Sequence, residues 1–131
     1  MLVVDASMVV AALVDTGPAG TWAESLLGSD RLAAPHVMPA ETANVLWRAA
    51  IAGDISADVA SLAHADPLAL RVELFPYHPF APRVWALRAN VTAYDGWYVA
   101  LAESLGAALA TVDTRLSHAP GPFCELETPP G

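Results

Sequence analysis

The sequence predicts an α/β domain with a central, mainly parallel sheet flanked by helices. Short apolar runs of strand length alternate with longer stretches of helical periodicity along the chain. The 131 residues suit one compact domain, 1–131, able to bury a core unaided. Apolar residues make up 55% of the chain, and they supply that core.

Leu2-Val3-Val4 is an apolar run ending at Asp5 and reads as a buried strand. Ala6 to Val14 tolerates a helix, and Asp15-Thr16-Gly17-Pro18 is a turn cluster. Ala19 to Leu27 places Trp22, Leu26 and Leu27 near helical spacing, and Gly28-Ser29-Asp30 stops it. Arg31 to Ala34 is a short strand closed by Pro35. His36 to Ala52 is helical, with Pro39 in the first turn, where proline is tolerated, and Gly53 as the stop. Ser56 caps a helix through Ala65. Leu70 to Phe75 alternates apolar and charged residues, as a half-buried strand does. Pro79 to Ala89 and Thr92 to Leu105 are helices, the second ended by Gly106. Ala107 to Val112 is the last strong strand, followed by Asp113. The proline-rich tail from Ala119 holds a weak strand signal at Phe123 to Leu126.

Charged residues are only 15% of the chain, against about 25% in an average soluble domain, so part of the surface is a candidate for cover by a partner. Fourteen acids face six arginines and no lysine, for a net charge of −8. That balance argues against broad nucleic-acid binding, which rests on phosphate contacts. A bound divalent metal reverses the local sign, and the empty site of such a metal is itself acidic. The single cysteine, Cys124, excludes an internal disulfide and reads as buried and inert. The N-terminus lacks a basic leader, and no apolar run reaches 18 residues, so a cytoplasmic protein without a membrane span is the expectation.

Ligands bind open parallel sheets beyond the carboxyl ends of the strands. Asp5 follows the first strand and Asp113 the last strong one, while Glu41 and Asp95 fall in the first turns of helices. All four belong to one sheet edge. Four carboxylates gathered there repel each other unless a cation neutralises them, and oxygen-only ligation favours Mg²⁺ or Mn²⁺. Such a site polarises a phosphoryl oxygen and lowers the pKa of a bound water. Each acid also has a plain structural reading: Asp5 as a helix cap, Asp95 in a capping box with Thr92, Glu41 as an acid favoured at a helix start, Asp113 as a turn residue. Taken singly, that reading is the better one; four convergent acids weaken it.

Four blocks carry a further signal. They are Leu2-Val3-Val4-Asp5-Ala6-Ser7, Pro39-Ala40-Glu41-Thr42-Ala43-Asn44-Val45-Leu46, Ala93-Tyr94-Asp95-Gly96-Trp97-Tyr98-Val99-Ala100-Leu101-Ala102 and Thr111-Val112-Asp113-Thr114-Arg115-Leu116. In this order and at these distances the chain, from Met1 to Ala119, resembles the PIN-domain family, and within it the VapC-type toxins of bacterial toxin–antitoxin pairs. The resemblance implies a Rossmann-like parallel sheet and a Mg²⁺- or Mn²⁺-dependent endoribonuclease. It also implies a cognate VapB-like antitoxin that blocks the active site, and a homodimer. The family's acids carry over to Asp5, Glu41, Asp95 and Asp113, with Asp5, Asp95 and Asp113 as metal ligands and Glu41 as ligand or water-orienter. Ser7 and Thr111 resemble the family's hydroxyl positions near the first metal, and Asn44 its polar residue one turn beyond the glutamate. Gly96 departs from the pattern, standing where the family usually has a small helix former. Its expected effect is a looser Asp95 turn or a close backbone approach.

Arg48, Arg88 and Arg115 are candidates for RNA phosphates, each equally well read as a solvated or acid-paired arginine; Arg115 stands first, two residues beyond Asp113. Tyr94, Trp47 and Trp97 are candidates for base stacking, with packing the better reading for the tryptophans. The four histidines show no ligand spacing, which argues against zinc. A phosphatase or phosphoreceptor domain also follows its first strand with an aspartate. The phosphatase needs a second acid where this chain has Ser7, and both need a lysine that it lacks. The alternative from another class is a catalytically silent PIN-like binding module, which would bind its partner but take up no Mn²⁺.

Overall fold

The computed structural model describes residues 1–66 and 71–130. Its elements are β1 (Leu2–Val4), α1 (Ala6–Val14), α2 (Pro18–Leu27), β2 (Leu32–Pro35), α3 (Met38–Ile51), α4 (Ala57–Ala65), β3 (Val72–Phe75), a 3₁₀ turn (His78–Phe80), α5 (Ala81–Ala86), α6 (Ala93–Leu105), β4 (Ala108–Ala110), α7 (Thr114–Ser117) and β5 (Leu126–Glu127). The strands form one sheet in the order β3-β2-β1-β4-β5, and every pairing is parallel. Parallel strands need crossovers, and the helices that flank this sheet supply them.

The sheet centre explains the continuous apolar runs. Val3, Val4, Ala33, Ala34, Leu109 and Ala110 are fully buried, as strands covered on both faces must be. Met8 and Val9 of α1 and Val99, Leu101 and Ala102 of α6 close over them. The order of strands reverses at β1, whose neighbours are β2 and β4. The crevice beyond its carboxyl end is therefore where a ligand of this fold belongs.

Most boundaries follow the sequence. Ser56 caps α4 and Thr92 caps α6 through side-chain oxygens, and Gly106 ends α6 at φ 61°, a conformation glycine adopts without penalty. Several expectations shift. The helix predicted over Pro79 to Ala89 is split between the 3₁₀ turn and α5, because prolines remove amide donors at its start. The strand predicted over Ala107 to Val112 keeps only Ala108–Ala110 in its ladder, although Thr111 N–H still donates to Glu127 O at 3.0 Å. The tail strand falls at Leu126–Glu127. Of the strand predicted from Leu70 to Phe75, Leu70 lies outside the described residues.

The tail is tied down by charge. Arg83 of α5 forks onto Glu103 of α6, with Nε–Oε1 at 2.7 Å and Nη2–Oε2 at 3.1 Å. The same guanidinium donates to Gly121 O at 2.8 Å, and Phe123 N–H donates to Glu103 at 2.6 Å. These bonds lead the chain to β5.

Gly20 is the tightest glycine position among the described residues. A Cβ there would lie 1.8 Å from Asp15 O and 2.9 Å from Ala11 O, both backbone atoms. Only glycine lets α2 seat against the end of α1. Gly20→Ala is expected to destabilise the fold by about 1–3 kcal/mol or more, read as a lowered denaturation midpoint; an unchanged midpoint would show that α2 shifts freely.

Candidate active site

Asp5, Glu41, Asp95 and Asp113 all line one cavity of about 440 Å³, together with Ser7, Asn44, Arg48, Tyr94 and Tyr98. The cavity opens at the carboxyl end of β1. Asp5 reaches it because β1 ends there, and its backbone N–H donates to Ala110 O of the neighbouring strand at 3.4 Å. Asp113 reaches it from the loop after β4, and Glu41 from the first turn of α3 after β2. Asp95 arrives by a longer route. No strand directly precedes α6; α5 and a turn do, and Thr92 fixes the start of α6 by accepting from Asp95 N–H at 3.1 Å.

The structural and functional readings of Asp5 coexist. Its Oδ1 accepts from Met8 N–H at 3.0 Å, capping α1, and from Ser7 Oγ at 2.6 Å. Ser7 Oγ lies 3.3 Å from Thr111 Oγ1 and accepts from Val112 N–H at 3.1 Å. Thr111 Oγ1 accepts in turn from Asp113 N–H at 2.9 Å. Thr111 is completely buried, so it sits behind the cavity rather than in its wall. These two hydroxyls join the β1 and β4 loops and set the separation of Asp5 and Asp113.

The carboxylates are not in their ordinary electrostatic state. Burial holds Asp5 above the usual range against the Ser7 and Thr111 hydroxyls and the Met8 amide, and Asp95 adds repulsion. Burial likewise raises Glu41, with repulsion from Asp95 and Asp5. Burial and the charge of Asp113 raise Asp95. Asp113 alone lies below the usual range, because Arg115 donates to it from Nε at 3.1 Å, Nη2 at 2.9 Å and its backbone N–H at 3.0 Å. Three half-buried, mutually repelling carboxylates are a configuration a cation relieves.

Sequence reasoning passed over Tyr98. Its phenol donates to Glu41 Oε1 at 2.6 Å across the cavity, and burial together with that carboxylate pushes it far above the ordinary phenol range. The available signal was its place three residues beyond Asp95, on the same face of α6. The bond lowers the pKa of Glu41. Tyr98→Phe therefore raises that pKa further. The acid limb of the pH–rate profile is expected to move to higher pH, with about a tenfold loss at neutral pH. An unmoved limb would separate Glu41 from the rate.

Residues 2–122 match the PIN-domain family. Ribonuclease VapC9 of Mycobacterium tuberculosis is 38% identical over 130 residues, 99% of either chain. This chain is a PIN domain of the VapC type. Among solved structures, VapC20 of Mycobacterium tuberculosis, a sarcin-ricin loop cleaving toxin, superposes with a TM-score of 0.68 over 89% of this chain and 93% of that one, at 17% identity. VapBC2 of Rickettsia felis, bound to a promoter DNA fragment, gives 0.67 over 98% of both chains at 14% identity. These two likenesses concern the fold.

The PIN domain places its remaining candidates unevenly. Asn44 lies on the cavity wall one turn beyond Glu41, and Tyr94 on its rim, 59% exposed. Arg115 lies on a second cavity that shares Asp95 and Asp113 with the first. Arg88 lines neither cavity: its guanidinium stacks on Trp85 at 4.4 Å and donates to Trp85 O. Trp97 packs edge-on against Tyr77, and Trp47 is exposed on a separate groove between α3 and α4, so neither tryptophan reaches the acids. The departure at Gly96 is a close approach. A Cβ there would lie 3.3 Å from Val84 Cγ1, so glycine lets α5 press on the Asp95 turn. Among the described residues no helix is long and apolar enough to cross a membrane.

Proposed function

We propose that this PIN domain, over residues 1–131, is a Mg²⁺- or Mn²⁺-dependent endoribonuclease that hydrolyses RNA phosphodiester bonds as the toxin of a type II toxin–antitoxin pair. One observation carries the reading: four acids distant in sequence line a single cavity, and three of them are held above their ordinary pKa by burial and one another. The VapC relatives, named ribonucleases, support RNA as the substrate.

The donor set fits a hard cation. All four side chains offer carboxylate oxygen, and no thiol lines the cavity. Among the described residues no three acids, histidines or cysteines close into a cage. Mg²⁺ usually keeps several waters and shares its shell with substrate phosphate, so it does not require such a cage. Asp5, Asp95 and Asp113 would hold it, directly or through water. When bound, the metal supplies charge neutralisation and Lewis acidity at the phosphoryl oxygen. Glu41, fixed through Oε1 by Tyr98, keeps Oε2 for a water and accepts its proton; its raised pKa suits that role. Ser7 and Thr111 keep the Asp5 carboxylate in place. Arg115, already paired with Asp113, moderates charge at the rim rather than serving first as an anchor for RNA.

A VapB-like antitoxin and a second copy of this chain are the partners we assign. The net charge of −8 suits a basic inhibitor segment. Exposed Trp47 and Ile51 on α3, and Val59 and Leu62 on α4, support an apolar face that a partner covers. Induced expression is expected to arrest growth, and co-expression of the small adjacent open reading frame to restore it. Growth unaffected by well-expressed protein carrying all four acids would sink the toxin reading.

A further inference from the structure

Of the six arginines, one stands apart. Arg83 is committed to Glu103 and the tail, Arg115 to Asp113, and Arg88 to the Trp85 ring, while Arg31 and Arg71 line a separate cavity beside Met1 and Asp30. Arg48 alone, among the described residues, brings a positive charge to the wall of the main cavity. It pairs with no carboxylate there, although four line the same cavity; among the described residues its side chain makes one hydrogen bond, from Nε to Asn44 O at 3.5 Å. Its side chain is exposed, so folding does not hold it in place.

Helical geometry sets what Arg48 can reach. Glu41, Asn44 and Arg48 share a face of α3, and Arg48 lies seven residues beyond Glu41, roughly 10 Å along the axis. A phosphate at the acids is therefore not the one nearest Arg48. Of the cavity-lining residues, Asn44 and Val45 lie between them, while Val37 and Ala40 line the wall on the far side of Glu41. A ligand fitting this surface has one anionic group at the carboxylates, a less polar unit beyond it, and a second anion at the arginine. An RNA strand has that alternation of phosphate and nucleoside.

We propose that Arg48 binds the backbone phosphate neighbouring the one cleaved, so that this site takes oligonucleotides in preference to substrates with a single phosphate. The inference rests on the nuclease reading above and names the substrate feature the site selects. A planar guanidinium suits two phosphate oxygens, and an ammonium supplies the charge without the fork. Arg48 is a binding residue in this account and takes no part in the chemical step.

Binding is measured first, so that it does not depend on turnover. Fluorescence anisotropy of a labelled hexanucleotide RNA in Mg²⁺ is followed with Asp5→Asn protein, with and without Arg48→Ala. The expected result is about a tenfold weaker Kd for Arg48→Ala, and a slope of log Kd against log salt smaller by about 0.7, one single-strand phosphate contact. Arg48→Lys is expected to restore the slope and part of the affinity. In turnover by protein with Asp5 intact, Arg48→Ala raises KM, and its loss in kcat/KM on the hexanucleotide exceeds that on a dinucleoside monophosphate about tenfold. Unchanged Kd and slope would overturn the proposal. So would equal losses on both substrates, a loss confined to kcat, or a loss confined to antitoxin affinity. Failure of the unsubstituted protein to cleave any RNA with Mn²⁺ strikes instead at the nuclease reading, which the anisotropy arm leaves separable.

Discussion

Asp5→Ala is expected to reduce RNA cleavage by about 10³-fold or more, the largest single-residue effect in the molecule. Asp5 is the innermost of the four acids, half-buried, and seated at the reversal of strand order beside β1. It also touches the hydroxyl pair that spaces the β1 and β4 loops. Alanine removes the cap of α1 as well, at a cost of about 1 kcal/mol, so lost activity alone would be ambiguous. Asp5→Asn resolves this. Asparagine retains a carbonyl oxygen for Met8 N–H and caps helices well, while removing the charge. Both variants are expected to lose cleavage, and Asp5→Asn to keep its far-ultraviolet dichroism and cooperative unfolding. An active Asp5→Asn would remove that carboxylate from the chemistry.

The second large effect is on stability. Metal-free protein holds Asp5, Glu41 and Asp95 in folded states where their charges are disfavoured. Mn²⁺ at a hundredfold excess over its Kd is expected to stabilise the fold by about 2.7 kcal/mol, on the order of 10 °C in Tm for a chain this size. Asp5→Asn should raise the metal-free Tm and abolish most of the increment with metal. Acid acts with a definite sign. A carboxyl raised in the folded state binds protons more readily there than in the unfolded chain. Metal-free stability should therefore rise as pH falls from neutrality through the raised values, until the unfolded carboxyls also protonate near about pH 4. Asp113, held low by Arg115, works oppositely and costs stability only below that point. Differential scanning fluorimetry with and without Mn²⁺, between pH 7 and 4, reads all of these. An unchanged Tm on adding metal, with a flat pH response, would contradict the electrostatic account.

Much of the site was legible because its acids sit at punctuation marks. Asp5 ends a strand of three apolar residues, and Asp113 follows another apolar run; such positions are readable without knowing what packs where. Glu41 was legible through the proline that opens α3, and Asp95 through the Thr92 cap. The route of Asp95 to the sheet edge was not, since two helical segments and a turn lie between β3 and α6. Tyr98 was hidden for a different reason. Its partner lies 57 residues away, and a tyrosine amid apolar neighbours on a helix reads as core until the two helices are placed. The arginines divided partly on local grounds: Arg88 stacks on Trp85 three residues back and Arg115 pairs with Asp113 two residues back, whereas the place of Arg48 on the cavity wall depends on the fold. The four-residue α7 escaped notice because one turn carries no periodicity.

The central claim is that these four acids act through a divalent metal on RNA. It is tested most directly by following cleavage of a defined RNA by purified, partner-free protein, first in EDTA and then with Mn²⁺ or Mg²⁺ restored. The predicted result is no cleavage in EDTA, recovery on adding either ion, and none at any metal concentration for Asp5→Ala. Cleavage that proceeds undiminished in EDTA and survives Asp5→Ala would contradict the account.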